Sequence, residues 1–428
     1  VHERPDPGYG ARAAWLLTAA WTGMGVLLWA MFPMTAAVLL PLCCIAPLAW
    51  IMAQRQRLPR YPIAPATAVL GVGALYLAIN ASWSLSPDSA VRAVVLFLLM
   101  VATLHAVLGT LPELEPPPLL AMAAGVLAGL AAAGVLLCVE VYGDQVVRRL
   151  LIRLVPALQP SASHVAMDAG RAIHLAPYLT NASVGVVTLM FWPAALIAAR
   201  LGLLRAWKIP ATIATAVVVA TLLGTEHGTS QMAFVGAGLT FALFRVRPQM
   251  AKALLVTGWV AATLLVVPAV SLLYRAEAYR APWLPQSARH RVVIWQMTAA
   301  QIPKAPLLGA GIGSARVLRE AADAQGLTAP GTTFRLSPSL HSHNAYLQVW
   351  YEAGAAGALI LLGLGLVVLR SLTRLAEDMQ PYLAAAFAAG ALLIATAYSI
   401  WAPWFMASLA MAAIFAGLGA ALPQRKAA

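Results

Sequence analysis

Of 428 residues, 61% are hydrophobic and only 10% are charged, where soluble domains are about a quarter charged. That balance excludes an ordinary soluble enzyme. The formal charge of +13 sits between apolar runs, almost all as arginine, which excludes a nucleic-acid-binding face and suits anionic head groups or phosphates. Cys43, Cys44 and Cys138 all lie within apolar runs and form neither a metal spacing nor a disulfide framework.

The expected fold is all-α and polytopic, with about twelve membrane spans at roughly 20 apolar residues each. In chain order they are Ala13–Met31, Met34–Ala53, Ile63–Ala81, Val91–Leu111, Pro118–Val141, Pro177–Ala199, Lys208–Gly224, Thr229–Phe244, Ala251–Tyr274, His343–Leu369, Pro381–Ile400 and Pro403–Leu422. This divides the chain into spans 1–9 over residues 1–274, a large external loop over 275–342, and spans 10–12 over 343–428. A short external loop interrupts the first part near 142–176. Arg55, Arg57, Arg60, Arg200, Arg205, Lys208, Arg245, Arg247, Lys252, Arg370, Arg374, Arg425 and Lys426 then share one side. The excess of basic residues makes that side cytoplasmic, with both termini on it. The loop from Pro112 to Pro118 shares that side without a basic residue.

Both external loops are rich in arginine. The first carries QVVRRLLIRLVPAL from Gln145 to Leu158. Its apolar residues share one helical face, and Arg149 and Arg153 project together, which reads as a short interfacial helix. Those arginines either snorkel to lipid phosphates or form a docking surface for an anionic glycolipid. Arg171 stands just before a span. In the second loop a helix is expected over residues 288–301, ended by Pro303. On it Arg289 and Arg291 point apart, and Arg291 shares a face with Trp295. Either arginine is a solvated loop charge or a phosphate clamp beside a flat apolar surface. Gly309, Gly311 and Gly313 fit a turn joining two helices; no strand precedes them, so a dinucleotide fingerprint is unsupported.

The stretch SLHSHNAYLQVWYEAGAAG, Ser339 to Gly357, places two histidines at the mouth of a very apolar helix. Polar groups at membrane depth face a cavity or a partner. With the helix beginning near His343, Tyr346, Leu347 and Trp350 continue its face, and His341 points away. Glu352 falls about half a turn off and is expected to bind a neighbouring helix. Gly354 and Gly357, among alanines, are expected to form a small-residue packing face. No carboxylate or cysteine near the H-x-H pair completes a metal site, and no cofactor is expected.

SHNAYLQVWYEAGAAG resembles the H-N-x-x-L…E-x-G-x-x-G signature of the O-antigen ligase and polymerase superfamily. SARHRVVIW, PLLGAGIGS, INASWSLSPDSAVRA and RAIHLAPYLTN resemble its accompanying segments, in order along the chain. Two departures stand out. The family often has a glycine where Ala288 or His290 stands, so the matching arginine is Arg289 or Arg291, and Arg291 fits the tryptophan spacing. Ser230-Gln231 replaces a frequent Ser-Arg.

The resemblance implies a C-type membrane glycosyltransferase of the Gram-negative inner membrane, with a periplasmic active site. It implies an undecaprenyl-diphosphate-linked glycan as donor and the lipid A core as acceptor. Ligase is preferred over an O-antigen polymerase or a protein O-oligosaccharyltransferase. His343 would be the catalytic base, and Arg171, Arg291 or Arg289, His341, Asn344 and Trp295 would bind substrate without a metal. A transporter or a non-enzymatic scaffold is the reading from outside the family; no internal repeat supports the former.

Overall fold

The computed structural model describes residues 9–42, 64–155, 165–168, 171–203 and 208–423. Arg55, Arg57, Arg60, Arg205, Arg425, Lys426, Cys43 and Cys44 lie outside them. The helices are α1 (Tyr9–Met31), α2 (Pro65–Asn80), α3 (Pro87–Thr110), α4 (Pro116–Tyr142), α5 (Val146–Leu154), α6 (Asn181–Arg200), α7 (Lys208–Gly224) and α8 (Gly228–Val246). They continue as α9 (Pro248–Leu264), α10 (Val266–Arg275), α11 (Gln286–Ala299), α12 (Ser314–Gln325), α13 (Ala345–Leu372), α14 (Gln380–Thr396) and α15 (Pro403–Ala421).

The chain is a multi-pass, predominantly helical membrane protein, but the span count departs from twelve. Among the described residues seven helices are long and apolar enough to cross a membrane: α1, α2, α3, α4, α6, α13 and α15. The pair α9 and α10, bent by 70° around Leu265, makes an eighth if it is one span. The reason is length. α7 and α14 have 17 residues each, about 26 Å at 1.5 Å per residue, short of a hydrocarbon core of about 30 Å. The expected second span is described only as the short helix Pro33–Leu42. α8 opens on the polar turn GTSQ and is not among the seven.

The all-α class stands, with one short two-stranded departure from helix among the described residues. β1 (Val165–Asp168) and β2 (Arg171–Leu175) form an antiparallel hairpin in the first external loop, pairing Val165 with Leu175.

The residues fall into two compact units. The first comprises Val1–Tyr61, Ala106–Val235 and Ala407–Ala428. In it α1 packs on α4 at backbone contact: a Cβ on Gly129 would meet the Gly23 carbonyl oxygen at 2.3 Å. The Trp29 indole N–H donates to Ser408 Oγ at 3.2 Å. α5 forms where a short interfacial helix is expected, but Arg148, part-buried, is the arginine that meets the buried Glu140. Glu140, fully buried at the end of α4, accepts from the amides of Val147 (2.7 Å) and Arg148 (3.2 Å). A carboxylate belongs at such a helix N-terminus. It also pairs with Arg148 Nε at 3.6 Å, while Arg148 Nη2 donates to Ser183 Oγ at 3.1 Å. Arg149 pairs with Asp144 at 2.9 Å. Gln145 Nε2 donates to the carbonyls of Leu175 (3.1 Å) and Ala176 (3.0 Å), anchoring the hairpin.

The second unit comprises Pro62–His105 and Gly236–Met406. It holds the histidine segment. Its core joins Leu77 of α2, Ala90, Ala93 and Val94 of α3, Ile312, and Val349 and Ala353 of α13.

Candidate active site

α13 begins at Ala345, two residues after His343. Asn344 is its N-cap: its side-chain oxygen accepts from the Leu347 amide at 3.0 Å, a role for which asparagine is well suited. His343 therefore precedes the helix, in the left-handed region at φ +52°. This overturns the expectation that His341 points away, because helical azimuths do not apply before the cap. The two rings are instead 4.1 Å apart between centroids and inclined by 47°.

His343 Nδ1 lies 2.8 Å from the Ala397 carbonyl oxygen, at the end of α14. A carbonyl can only accept, so Nδ1 carries the proton and the neutral ring keeps its lone pair on Nε2. Burial holds the His343 pKa below its ordinary value; Arg291 and His290 push the same way, and the bond to Ala397 opposes them. His341 is pushed down to about 3, by burial first and then by His343 and Arg291. Its Nε2 is buried without a hydrogen-bond partner among the described residues. Both rings are neutral at pH 7.

α11 runs over Gln286–Ala299, two residues earlier than expected. From it the charge of Arg291 acts on His341, His343, His290 and the Tyr398 phenol. Among the described residues Arg291 makes no hydrogen bond or ion pair. Burial lowers its pKa, yet guanidinium remains charged. Arg289 is placed differently, with its guanidinium 5.9 Å from the centroid of Phe334, on which His290 stacks at 5.2 Å. Trp295, one turn after Arg291, has a buried indole N–H without a partner among the described residues. Arg171 opens β2 in the first unit, and its side chain lies outside what the structure describes.

The glycine-rich segment is a backbone graft. α13 is broken at Gly354, whose φ of 62° and ψ of −162° are non-helical. Residues 306–311 fill the break. The Ala310 amide donates to the Tyr351 carbonyl at 2.9 Å and the Gly311 amide to the Glu352 carbonyl at 2.9 Å. In the other direction, Ala355 N donates to Pro306 O at 2.9 Å and Ala356 N to Leu307 O at 3.1 Å. Asn80, buried at the end of α2, ties the two strands of this graft. Its Nδ2 donates to Leu308 O (3.0 Å) and Glu352 O (3.1 Å), and its Oδ1 accepts from Ile312 N (2.9 Å). Gly354 is thus a break point and not part of a packing face.

The carboxylate of Glu352 meets neighbouring elements, as expected. It accepts from Gln348 Nε2 at 3.1 Å, from the Ala315 amide at 3.3 Å, and from the Trp401 indole N–H. Sequence reasoning passed over Gln348, Ala397, Tyr398 and Asn80. Only Asn80 left a signal, as a polar residue within INASWSL. An apolar crevice of about 380 Å³ opens between α8, α9, α13 and α14, lined by Leu243, Leu254, Trp259, Tyr346, Phe387 and Leu392. Tyr346, in the first turn of α13, is one of its lining residues and stands three residues after His343 in the sequence.

Residues 211–362 match the model of the O-antigen ligase family. They hold Arg289, Arg291, Trp295, His341, His343, Asn344 and Glu352, and leave Arg171 and Asn80 outside. That stretch, a little over a third of the chain, is similar to the O-antigen ligase family. A Rickettsia conorii protein, named provisionally as a polysaccharide ligase, is 30% identical over 123 residues, which are 28% of this chain and 29% of that protein. The match thus spans under a third of the length of that relative.

Proposed function

We propose that this protein is an O-antigen ligase. It transfers a glycan from undecaprenyl diphosphate to the lipid A core oligosaccharide at the periplasmic face of the Gram-negative inner membrane, with both termini in the cytoplasm. The observation that carries this reading is the neutral His343, with Nδ1 committed to Ala397 and Nε2 free, in the field of the unpaired Arg291. A hydroxyl of the acceptor sugar gives its proton to Nε2 as its oxygen attacks the donor's anomeric carbon. The bond from that carbon to the diphosphate oxygen breaks, and undecaprenyl diphosphate leaves with the electron pair. One displacement inverts the anomeric centre. Arg291 offsets the charge that grows on the leaving group. The crevice lined in part by Tyr346 offers apolar walls to the isoprenoid chain. Arg171 enters as a donor contact on the resemblance alone.

The test is reconstitution of the purified protein with lipid-linked glycan and rough lipopolysaccharide, read as a gel shift. Transfer to lipopolysaccharide supports the ligase. Glycan lengthening without lipopolysaccharide would instead make the enzyme a polymerase, and no product would favour a transporter.

Two further results are expected in that assay. Arg291→Ala should lower turnover by about 10² to 10³-fold, the scale of removing a preorganised charge-stabilising donor. Arg291→Lys keeps a point charge but not the planar fork, so donor affinity should fall less than turnover. The same changes at Arg149, already paired with Asp144, should leave turnover within about threefold of wild type. Wild-type turnover in Arg291→Ala would remove the diphosphate from this site. Transfer should also persist in EDTA, since the proposal gives the diphosphate charge to arginine; among the described residues no three His, Cys, Asp or Glu side chains are grouped so that they could hold a metal ion. Loss on chelation, with recovery in Mg²⁺ or Mn²⁺, would refute the arginine-only account.

A further inference from the structure

The His343 acceptor is a main-chain carbonyl, so its position depends on whatever holds residues 397–401. α14 ends at Thr396 and α15 begins at Pro403, and the Ala397 carbonyl belongs to the last turn, where helices leave carbonyls without intrahelical partners. The turn that follows is tied to α13 by two side chains, Gln348 and Glu352. Gln348 Oε1 accepts from the Ile400 amide at 3.3 Å, and its Nε2 donates to Ser399 Oγ at 3.1 Å. The same Nε2 donates to Glu352 Oε2 at 3.1 Å, which fixes the orientation of the amide, since a carboxylate can only accept. Ser399 Oγ also accepts from Trp401 N at 3.2 Å, and the Trp401 indole donates to Glu352. Gln348 is 3% exposed, so a polar side chain is used here at a cost that only these bonds offset.

We propose that Gln348 is a positioning residue for His343: by locking the 397–401 turn to α13 it keeps the Ala397 carbonyl on Nδ1 and so leaves Nε2 as the basic nitrogen. The inference rests on the general-base reading of His343. Without the lock the carbonyl drifts, and the ring is free to rotate or to exchange tautomers. Misplacement of about 1 Å at a reacting group can cost about 10²-fold.

The pH dependence has a sign. The groups facing His343 are Arg291 and His290 from α11, His341 from its own segment, and Tyr398 from the turn through Arg291. Arg291 and His290 oppose protonation of His343, while the bond to Ala397 favours it. Loosening the turn removes the one favourable contribution. The acid limb of the rate profile then moves to lower pH, and the plateau falls because the base is weaker and less well aimed.

The experiment compares wild type, Gln348→Leu and Ser399→Ala in lipid nanodiscs. It records kcat and KM for the donor against pH, together with ¹⁵N imidazole spectra assigned through His343→Asn. Gln348→Leu should lower kcat by about tenfold to 10²-fold with KM changed less than threefold. It should also shift the acid limb downward and add a population protonated at Nε2. Ser399→Ala removes one of the two bonds from Gln348 to the turn and should do the same to a smaller degree; it carries the test if Gln348→Leu does not fold. Wild-type activity in both variants overturns the proposal. Lost activity with an unchanged acid limb and an unchanged His343 spectrum overturns it too, since that is what mere loosening of the fold would give. Failure of the general-base reading is separate: there His343→Asn would stay active, whereas the tautomer shift in Gln348→Leu would still report positioning.

Discussion

Replacing His343 with alanine is expected to leave a membrane-inserted protein whose glycan transfer is lower by about 10² to 10⁴-fold, the range that general-base catalysis contributes. His343 sits at φ +52° and donates to Ala397, so alanine there adds some backbone strain. His343→Asn is the cleaner variant, because asparagine tolerates the left-handed region and keeps a donor. Both should retain the wild-type thermal midpoint in detergent to within a few degrees while losing turnover. In the wild type, the rate should be flat around pH 7 and fall only below the ordinary imidazole value of 6.5, since burial depresses the His343 pKa. His341→Ala should be milder, about tenfold: an imidazole whose pKa is about 3 is too weak a base to replace its neighbour, but its ring packs against the reactive one. Activity of His343→Asn within threefold of wild type would sink the general-base role.

How far the sequence could be read depends on how local each signal is. The starts and ends of α4, α6 and α15 fall within a few residues of the apolar runs, because hydrocarbon-length segments announce themselves without any partner. The same yardstick overcounts where a run is apolar but short, as at α7 and α14. The histidine site was legible in its residue types and not in its geometry. The helix start turns on Asn344 acting as a cap, a choice between two readings two residues apart. The partners of His343 and Gln348 lie about fifty residues downstream, in a turn with no signature of its own. Arg148 illustrates the same limit: spacing favoured Arg149 and Arg153, but Glu140 on the preceding helix selects Arg148. The break in α13 bears on the transporter alternative, since broken spans in transporters leave backbone groups to bind ions or substrate. Here the segment 306–311 takes them instead.

Gly354→Ala is expected to be the most damaging single methyl added to α13. An unbroken helix would welcome it, since alanine is favoured over glycine by about 1 kcal/mol in a helix interior. The structure reverses that sign. At φ 62° and ψ −162° the backbone occupies a region that is essentially glycine-only, which costs other residues about 1–3 kcal/mol. The added Cβ would also stand 2.5 Å from the Leu307 carbonyl carbon and 2.6 Å from the Gly309 amide nitrogen. These are backbone atoms, so relief requires moving the whole graft. That breaks several of the bonds between residues 306–311 and 351–356, at about 1 kcal/mol net each. The carboxylate of Glu352, which supports Gln348 and Trp401, would lose its frame at the same time. The expected result is a fall of several degrees in the detergent melting midpoint, or loss of monodisperse protein, together with loss of transfer. Gly363→Ala in the same helix is the control: nothing lies within 4 Å of its added Cβ, so its midpoint should match wild type or exceed it slightly. Equal midpoints for Gly354→Ala and Gly363→Ala would mean that α13 runs straight through Gly354 and that the glycine-rich segment docks elsewhere.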